Sequence, residues 1–224
     1  LMGLAPYGEP VYADLIRKHL VKIFEDGSIW MDQSFYNYAG GLTMTSKKFD
    51  QLFGGPPRRR ESPISKREMD LAASVQVVTE EIMLKMARHA HQLTGLRHLC
   101  LAGGVALNCV GNGKLLLEGP FEDIWIQPAS GDAGGALGAA LFTWHQLLDK
   151  PRTAKAGDSM QGSFLGPEPE DGSTRAFLES QGARFRHFPH EDNLCEEVAG
   201  LIASEKVVGW VHGRMEFGPR ALGA

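Results

Sequence analysis

The sequence predicts an α/β protein in two parts, and three observations carry that prediction. A strand, a glycine turn and a helix follow one another twice between residues 99 and 147, first as LCLA into GGVALN and then as IWI into QPASGDAGG. Alternation of this kind is how a parallel sheet covered by helices reads in sequence. A long, well-capped helical pattern precedes the two units. A stretch without apolar periodicity, residues 149–162 (DKPRTAKAGDSMQG), follows them and reads as a linker. The expected organisation is therefore a first domain over 1–148, a linker over 149–162 and the opening of a second domain over 163–224.

Taken in order, LMGLAPYGEP at residues 1–10 holds two glycines and two prolines around Tyr7 and reads as an ordered loop. Residues 11–24 carry a helical pattern, with Leu15, Ile16, His19, Leu20 and Ile23 on one side. Residues 29–31 form a strand candidate after the Asp26-Gly27 turn. From 37 to 65 the text is loop-rich and includes Arg58-Arg59-Arg60, a run that reads as solvated, with phosphate contact as the competing use. Ser65 and Glu68 form a capping box at the start of a helix over 65–93. Its apolar stripe is Leu71, Val75, Val78, Ile82, Met86 and Leu93, and Gly95 takes the C′ position. His89 and His91 lie two apart on it, on different faces, and so do not chelate one metal together.

A buried-type strand is expected over 99–102, a helix over about 108–117, a second strand over 124–126 and a helix from the PASGDAGG turn to about 147. Beyond the linker the pattern predicts helices at 173–180 and 193–204, with strands at 185–188 and 207–211. In open α/β sheets ligands sit at the carboxyl ends of the strands, which directs attention to the two glycine turns.

Composition narrows the function. Of 224 residues, 43% are hydrophobic and 22% charged, enough apolar matter for a core and too much for wholesale disorder. A net charge of -4 argues against a nucleic-acid or acidic-membrane partner. No apolar run approaches the ~20 residues that span a bilayer, and no secretory signal opens the chain. Three scattered cysteines, Cys100, Cys109 and Cys195, suit a reducing compartment, so a cytoplasmic protein is expected. Oligomeric state is not readable, and a homo-oligomer stays open. The chain opens inside a Gly/Pro-rich stretch and stops after GRMEFGPRALGA, and it reads as a piece of a longer protein.

The chemistry concentrates in three places. Gly103 and Gly104 end a strand, where bare backbone N–H groups and the following helix N-terminus suit a phosphate. Close strand–helix packing is the competing explanation of the same glycines. Named phosphate motifs fail: Gly113-Lys114 is followed by Leu115, Asn108 stands where the first Walker glycine belongs, and Ala133 stands where GxGxxG needs glycine. Asp132 opens a helix at a glycine-flanked turn, where it either caps the helix or ligates a metal. Arg214 and Arg220 flank Glu216 in the closing run and suit a carboxylate or phosphate, unless an arginine–glutamate pair is structural.

Four motifs together, LMGLAPYGEP, LAGGVALNCVGNGKL, PASGDAGGALGAAL and GRMEFGPRALGA, resemble the nodulation-protein-U type carbamoyltransferases, which include O-carbamoyltransferases of antibiotic biosynthesis. The resemblance covers nearly the whole chain in the family's order. It implies the C-terminal part of an actin/hexokinase-like ATPase domain, close to that of the tRNA threonylcarbamoyl transferase, followed by the start of a YrdC-like domain. It implies a carbamoyl-adenylate made from ATP and carbamoyl phosphate, then transfer of the carbamoyl group to a hydroxyl of a small sugar or antibiotic-like acceptor. By the same resemblance Gly103, Gly104, Val105 and Asn108 line the nucleotide, Asp132 is a catalytic metal ligand for a divalent ion of the Fe2+ type, and Mg2+ accompanies ATP. Arg214 and Arg220 fall in the motif where carbamoyl phosphate is bound. The family's upstream HxxxH metal motif does not occur here. The isolated chain is therefore expected to be inactive and to bind metal weakly. A kinase of the same actin-like fold, or a non-catalytic nucleotide-binding module, accounts for the glycine turns but not for GRMEFGPRALGA.

Overall fold

A computed structural model describes residues 1–153 and 156–218. The chain is mixed α/β and divides into two units, Leu1–Gln127 and Pro128–Ala224.

In the first unit the opening loop is ordered because it is pinned to a long helix. Its 3-10 turn, Ala5–Tyr7, is followed by Gly8, where a Cβ would lie 2.0 Å from the Met69 carbonyl oxygen. The Glu9 N–H donates to Asp70 Oδ1 at 2.7 Å, and the Tyr12 N–H donates to Ser74 Oγ at 3.0 Å. The helical pattern expected over 11–24 stops early. Helix α1, Ala13–Leu15, runs on as a π-helical turn, Ile16–Leu20, and then gives way to strand β1, Val21–Ile23. Val21-Lys22-Ile23 also has a period-two pattern, and pairing with β2, Ile29–Met31, decides in favour of the strand. Gly27, at φ +81, makes the hairpin turn between them.

Within the stretch expected to be loop, a short helix α2, Lys47–Leu52, sets Phe49 and Leu52 against a core of Ile16, Leu20, Phe35, Phe53 and Val78. The Arg58–Arg60 run is exposed, as a solvated loop should be.

Helix α3, Lys66–Thr94, begins at the Ser65/Glu68 capping box and ends at Gly95 in the left-handed conformation. Its burial departs from the expected single stripe: Met86 is 55% and Leu93 73% exposed. The helix serves two cores on two sides. Leu71, Val75, Val78 and Ile82 join the first, whereas Met83, Leu84, Ala87 and Ala90 join a second with Leu115 and Phe121. At 3.6 residues per turn Val78 and Leu84 point roughly 120° apart, so the buried face changes along the helix.

The second core supports a parallel βαβ unit. Strands β3, His98–Leu101, and β4, Asp123–Ile126, pair in register from His98↔Asp123 to Leu101↔Ile126. Helix α4, Cys109–Glu118, crosses between them and packs on α3. Gly111 permits that approach, since a Cβ there would meet Met83 Sδ at 2.7 Å.

In the second unit α5, Asp132–Phe142, continues as a π-helical turn, Thr143–Leu147. Then come α6, Asp171–Ser180, and α7, Glu191–Ala203, close to where the pattern expects helices. The strands expected at 185–188 and 207–211 do not form: among the described residues neither segment finds a ladder partner, and β propensity without a partner does not make a strand.

Candidate functional site

β3 ends at Leu101, and the chain then turns through Gly103 at φ +100, ψ 160, a region essentially reserved for glycine. A 3-10 turn, Gly104–Leu107, leads to Asn108, which caps α4 by accepting from the Gly111 N–H at 3.0 Å. A Cβ placed on Gly103 or Gly104 would meet nothing within 4 Å. Close packing therefore does not explain these two glycines, in contrast to Gly111; backbone conformation explains Gly103, and neither explains Gly104. Val105 is 58% exposed beside them. The result is an open backbone turn at the carboxyl end of a parallel strand, ahead of a helix N-terminus, which is where backbone amides and the helix dipole favour an anion.

Beneath this turn lies a polar network that local sequence reading does not find. Asn108 and Gln76 form a reciprocal amide pair: Asn108 Nδ2 donates to Gln76 Oε1 at 2.9 Å, and Gln76 Nε2 donates to Asn108 Oδ1 at 3.2 Å. Gln76 Nε2 also donates to Glu80 Oε1 at 2.8 Å, and Lys114 Nζ donates to Glu80 Oε2 at 3.1 Å. Asn112 Nδ2 donates to the Ala106 carbonyl at 2.7 Å. Its Oδ1 is buried with no hydrogen-bond partner, the sole such side-chain atom among the described residues. The one sequence signal was Gln76 itself, a polar residue within SVQVV on a largely buried helix.

Asp132 is the first residue of α5 and is exposed. It does not cap the helix: the N-cap position is Gly131, and no side chain bonds the end. Its carboxylate has no hydrogen-bond or ion-pair partner among the described residues, although a carboxylate in a first turn suits the helix dipole. Gly134 is dictated by close approach, because a Cβ there would lie 2.0 Å from the Ala129 carbonyl oxygen, whereas Gly135 and Gly138 are open. Among the described residues no three His, Cys, Asp or Glu side chains gather to hold a metal. One carboxylate is a single donor where a bound ion needs about four or more. The described residues thus do not form a metal site by themselves.

Arg214 donates through Nη1 to the Gly166 carbonyl at 2.7 Å, and its Nε lies 3.7 Å from Glu168 Oε2. Its carboxylate neighbour is Glu168, not the adjacent Glu216. Two backbone bonds join the same segments, Gly166 N–H to the Met215 carbonyl at 2.9 Å and Met215 N–H to the Pro167 carbonyl at 3.0 Å. Gly218, at φ +135, reaches the loop ahead of α5, where its Cβ would lie 2.9 Å from the Pro128 carbonyl oxygen. Arg220 lies outside the described residues. Of the sequence-predicted site, Gly103, Gly104, Val105 and Asn108 come together on one turn of the first unit; Asp132 and Arg214 belong to the second.

Residues 1–141 match the family model for the carbamoyltransferase N-terminus, and residues 199–224 match that for the carbamoyltransferase C-terminus. The whole chain is 53% identical to the uncharacterized protein sll1178 of Synechocystis sp., covering 36% of that protein. It is 39% identical to nodulation protein NolNO of Sinorhizobium fredii and 37% identical to nodulation protein NolO of Bradyrhizobium diazoefficiens, covering 31% and 38% of them. The chain spans about a third of the length of these curated relatives.

Proposed function

Since the chain belongs to the carbamoyltransferase family, we propose that its full-length protein moves a carbamoyl group from carbamoyl phosphate, through a carbamoyl-adenylate built from ATP, to a hydroxyl of a small sugar or antibiotic-like acceptor. In this proposal residues 1–148 are the C-terminal part of an actin-like ATPase domain, 149–162 a linker, and 163–224 the opening of a YrdC-like domain. The observation that carries the nucleotide placement is the open turn: Gly104 lacks a side chain although it is not in the left-handed region and a Cβ there would meet nothing within 4 Å, beside Gly103, whose φ of +100 requires glycine. A phosphate seated there explains why bare backbone is needed at Gly104.

The chain's own part in the reaction is to hold and orient. Turn amides and the α4 N-terminus bind the adenylate phosphate without adding bulk. The acceptor oxygen attacks the carbonyl carbon, the bond from that carbon to the AMP phosphate oxygen breaks, AMP leaves, and the hydroxyl proton passes to solvent. A divalent ion such as Fe2+ would take Asp132 as one donor and polarise the carbonyl as a Lewis acid. The described residues gather no group of three His, Cys, Asp or Glu side chains around it, so nothing further is derived from it. Mg2+ accompanies ATP. Arg214 and Arg220 serve the carbamoyl phosphate dianion, a role that suits guanidinium forks. On this reading the isolated chain, with no cluster of three metal donors among its described residues, should bind metal weakly and transfer nothing.

The test uses the full-length protein with ATP, carbamoyl phosphate, Fe2+ and a panel of hydroxyl acceptors. Asp132→Ala should retain carbamoyl phosphate-dependent pyrophosphate release and lose transfer to the acceptor. Retention of transfer by Asp132→Ala overturns the metal-donor role.

A further inference from the structure

We propose that Gln76 is a positioning residue for the nucleotide turn, acting through Asn108; this rests on the reading of the Gly103–Asn108 turn as the nucleotide site. The polarity of the network leaves one arrangement. Lys114 is a donor only, so it faces an oxygen of Glu80; Glu80 is an acceptor only, so the end of Gln76 that meets it is the NH2 group. That places Gln76 Oε1 towards Asn108, which must answer with its own NH2 and therefore turns Oδ1 to the Gly111 N–H. The orientation of the Asn108 carboxamide is thus held from both sides, by the Gly111 N–H at the start of α4 and by Gln76 on α3, 32 residues away in sequence.

Asn108 is in consequence engaged at both ends of its amide. Its carbonyl oxygen accepts from Gly111 and Gln76, and its nitrogen donates to Gln76. It therefore shapes the turn, and only the second N–H of its amide is left for the nucleotide contact that the family resemblance assigned to it. Gln76 is 5% exposed and reaches no solvent-facing ligand position, so its influence runs through Asn108. Asn112 holds Ala106 in the same turn from α4, so the turn is tied at two residues to two helices.

The experiment compares full-length wild type with Gln76→Met, which removes the amide at similar length, and Gln76→Glu, which sets a second carboxylate against Glu80. Val78→Ala, a core change two residues away that does not touch the network, controls for general destabilisation. Amide hydrogen exchange is followed over residues 103–111, and ATP binding by titration. Loss of the two bonds between Gln76 and Asn108 should raise exchange in that segment about fivefold or more. ATP affinity should fall by a similar factor, with kcat at saturating ATP little changed, and the Gln76→Glu loss should be partly rescued by Glu80→Gln. Exchange in Gln76→Met that rises no more over 103–111 than in Val78→Ala overturns the positioning role. Exchange that rises as expected while wild type binds no ATP supports the hold of Gln76 on the turn and overturns the nucleotide reading instead.

Discussion

Alanine at Gly104 and at Gly103 in the full-length protein separates a ligand cradle from a merely structural turn. Gly104 is not in the left-handed region, and a Cβ there would meet nothing within 4 Å. Alanine should fit, and by reducing unfolded-state freedom it should stabilise by ~0.4–1 kcal/mol. For a domain of this size that is a rise in Tm of about 1–4 °C. Gly103 is different, because φ +100 with ψ 160 is a conformation that an L side chain occupies at a cost of ~1–3 kcal/mol. Gly103→Ala should therefore lower Tm by about 2–12 °C. ATP affinity should respond differently from stability. A methyl at 104 occupies space in front of the turn amides, so Gly104→Ala should weaken ATP by about tenfold or more, ~1.4 kcal/mol, while melting no lower than wild type. Differential scanning fluorimetry and ATP titration on the same samples measure both. Gly104→Ala with an unchanged or higher Tm and wild-type ATP affinity would refute the reasoning.

Two further outcomes follow from the geometry. The Ser65 hydrogen bonds and the Arg67 guanidinium hold the Glu68 carboxyl down at about 2 against an ordinary 4.5. Because the folded value is depressed, this contribution to stability is complete above pH 4.5 and is lost as pH falls towards 2. Glu68→Gln should narrow the gap from wild type across that window in chemical-denaturation curves. Gly134→Ala, with its Cβ 2.0 Å from the Ala129 carbonyl, should destabilise by ~1–3 kcal/mol, whereas the open Gly135→Ala should be neutral or gain up to ~1 kcal/mol of helix propensity. Equal Tm values for those two variants would contradict the packing described at the start of α5.

Much of the fold was legible because its signals are local. The Ser65/Glu68 box and Gly95 bracket α3 within a residue or two, and a short apolar run followed by glycines marks both strand–turn–helix units. What was not legible depends on partners distant in the chain. Val21-Lys22-Ile23 satisfies helical and strand patterns alike until Ile29–Met31 pairs with it. Met86 and Leu93 lie on the periodic stripe, but α3 turns a different face to its second core. Residues 185–188 and 207–211 have strand-like composition, yet no strand forms without a ladder partner. At the site, the glycine turn was readable, whereas Gln76 was not: side-chain amide pairing 32 residues apart leaves no spacing signature. The same holds for Arg214, whose partners Gly166 and Glu168 lie across the linker-side loop and not at Glu216.

The central claim is most directly tested by asking what the full-length protein does to ATP when carbamoyl phosphate is added. AMP and pyrophosphate should form only when carbamoyl phosphate is present, at a rate that Gly104→Ala reduces. Formation of ADP, or ATP turnover indifferent to carbamoyl phosphate, would contradict the account and return the glycine turn to a kinase or a nucleotide-sensing module.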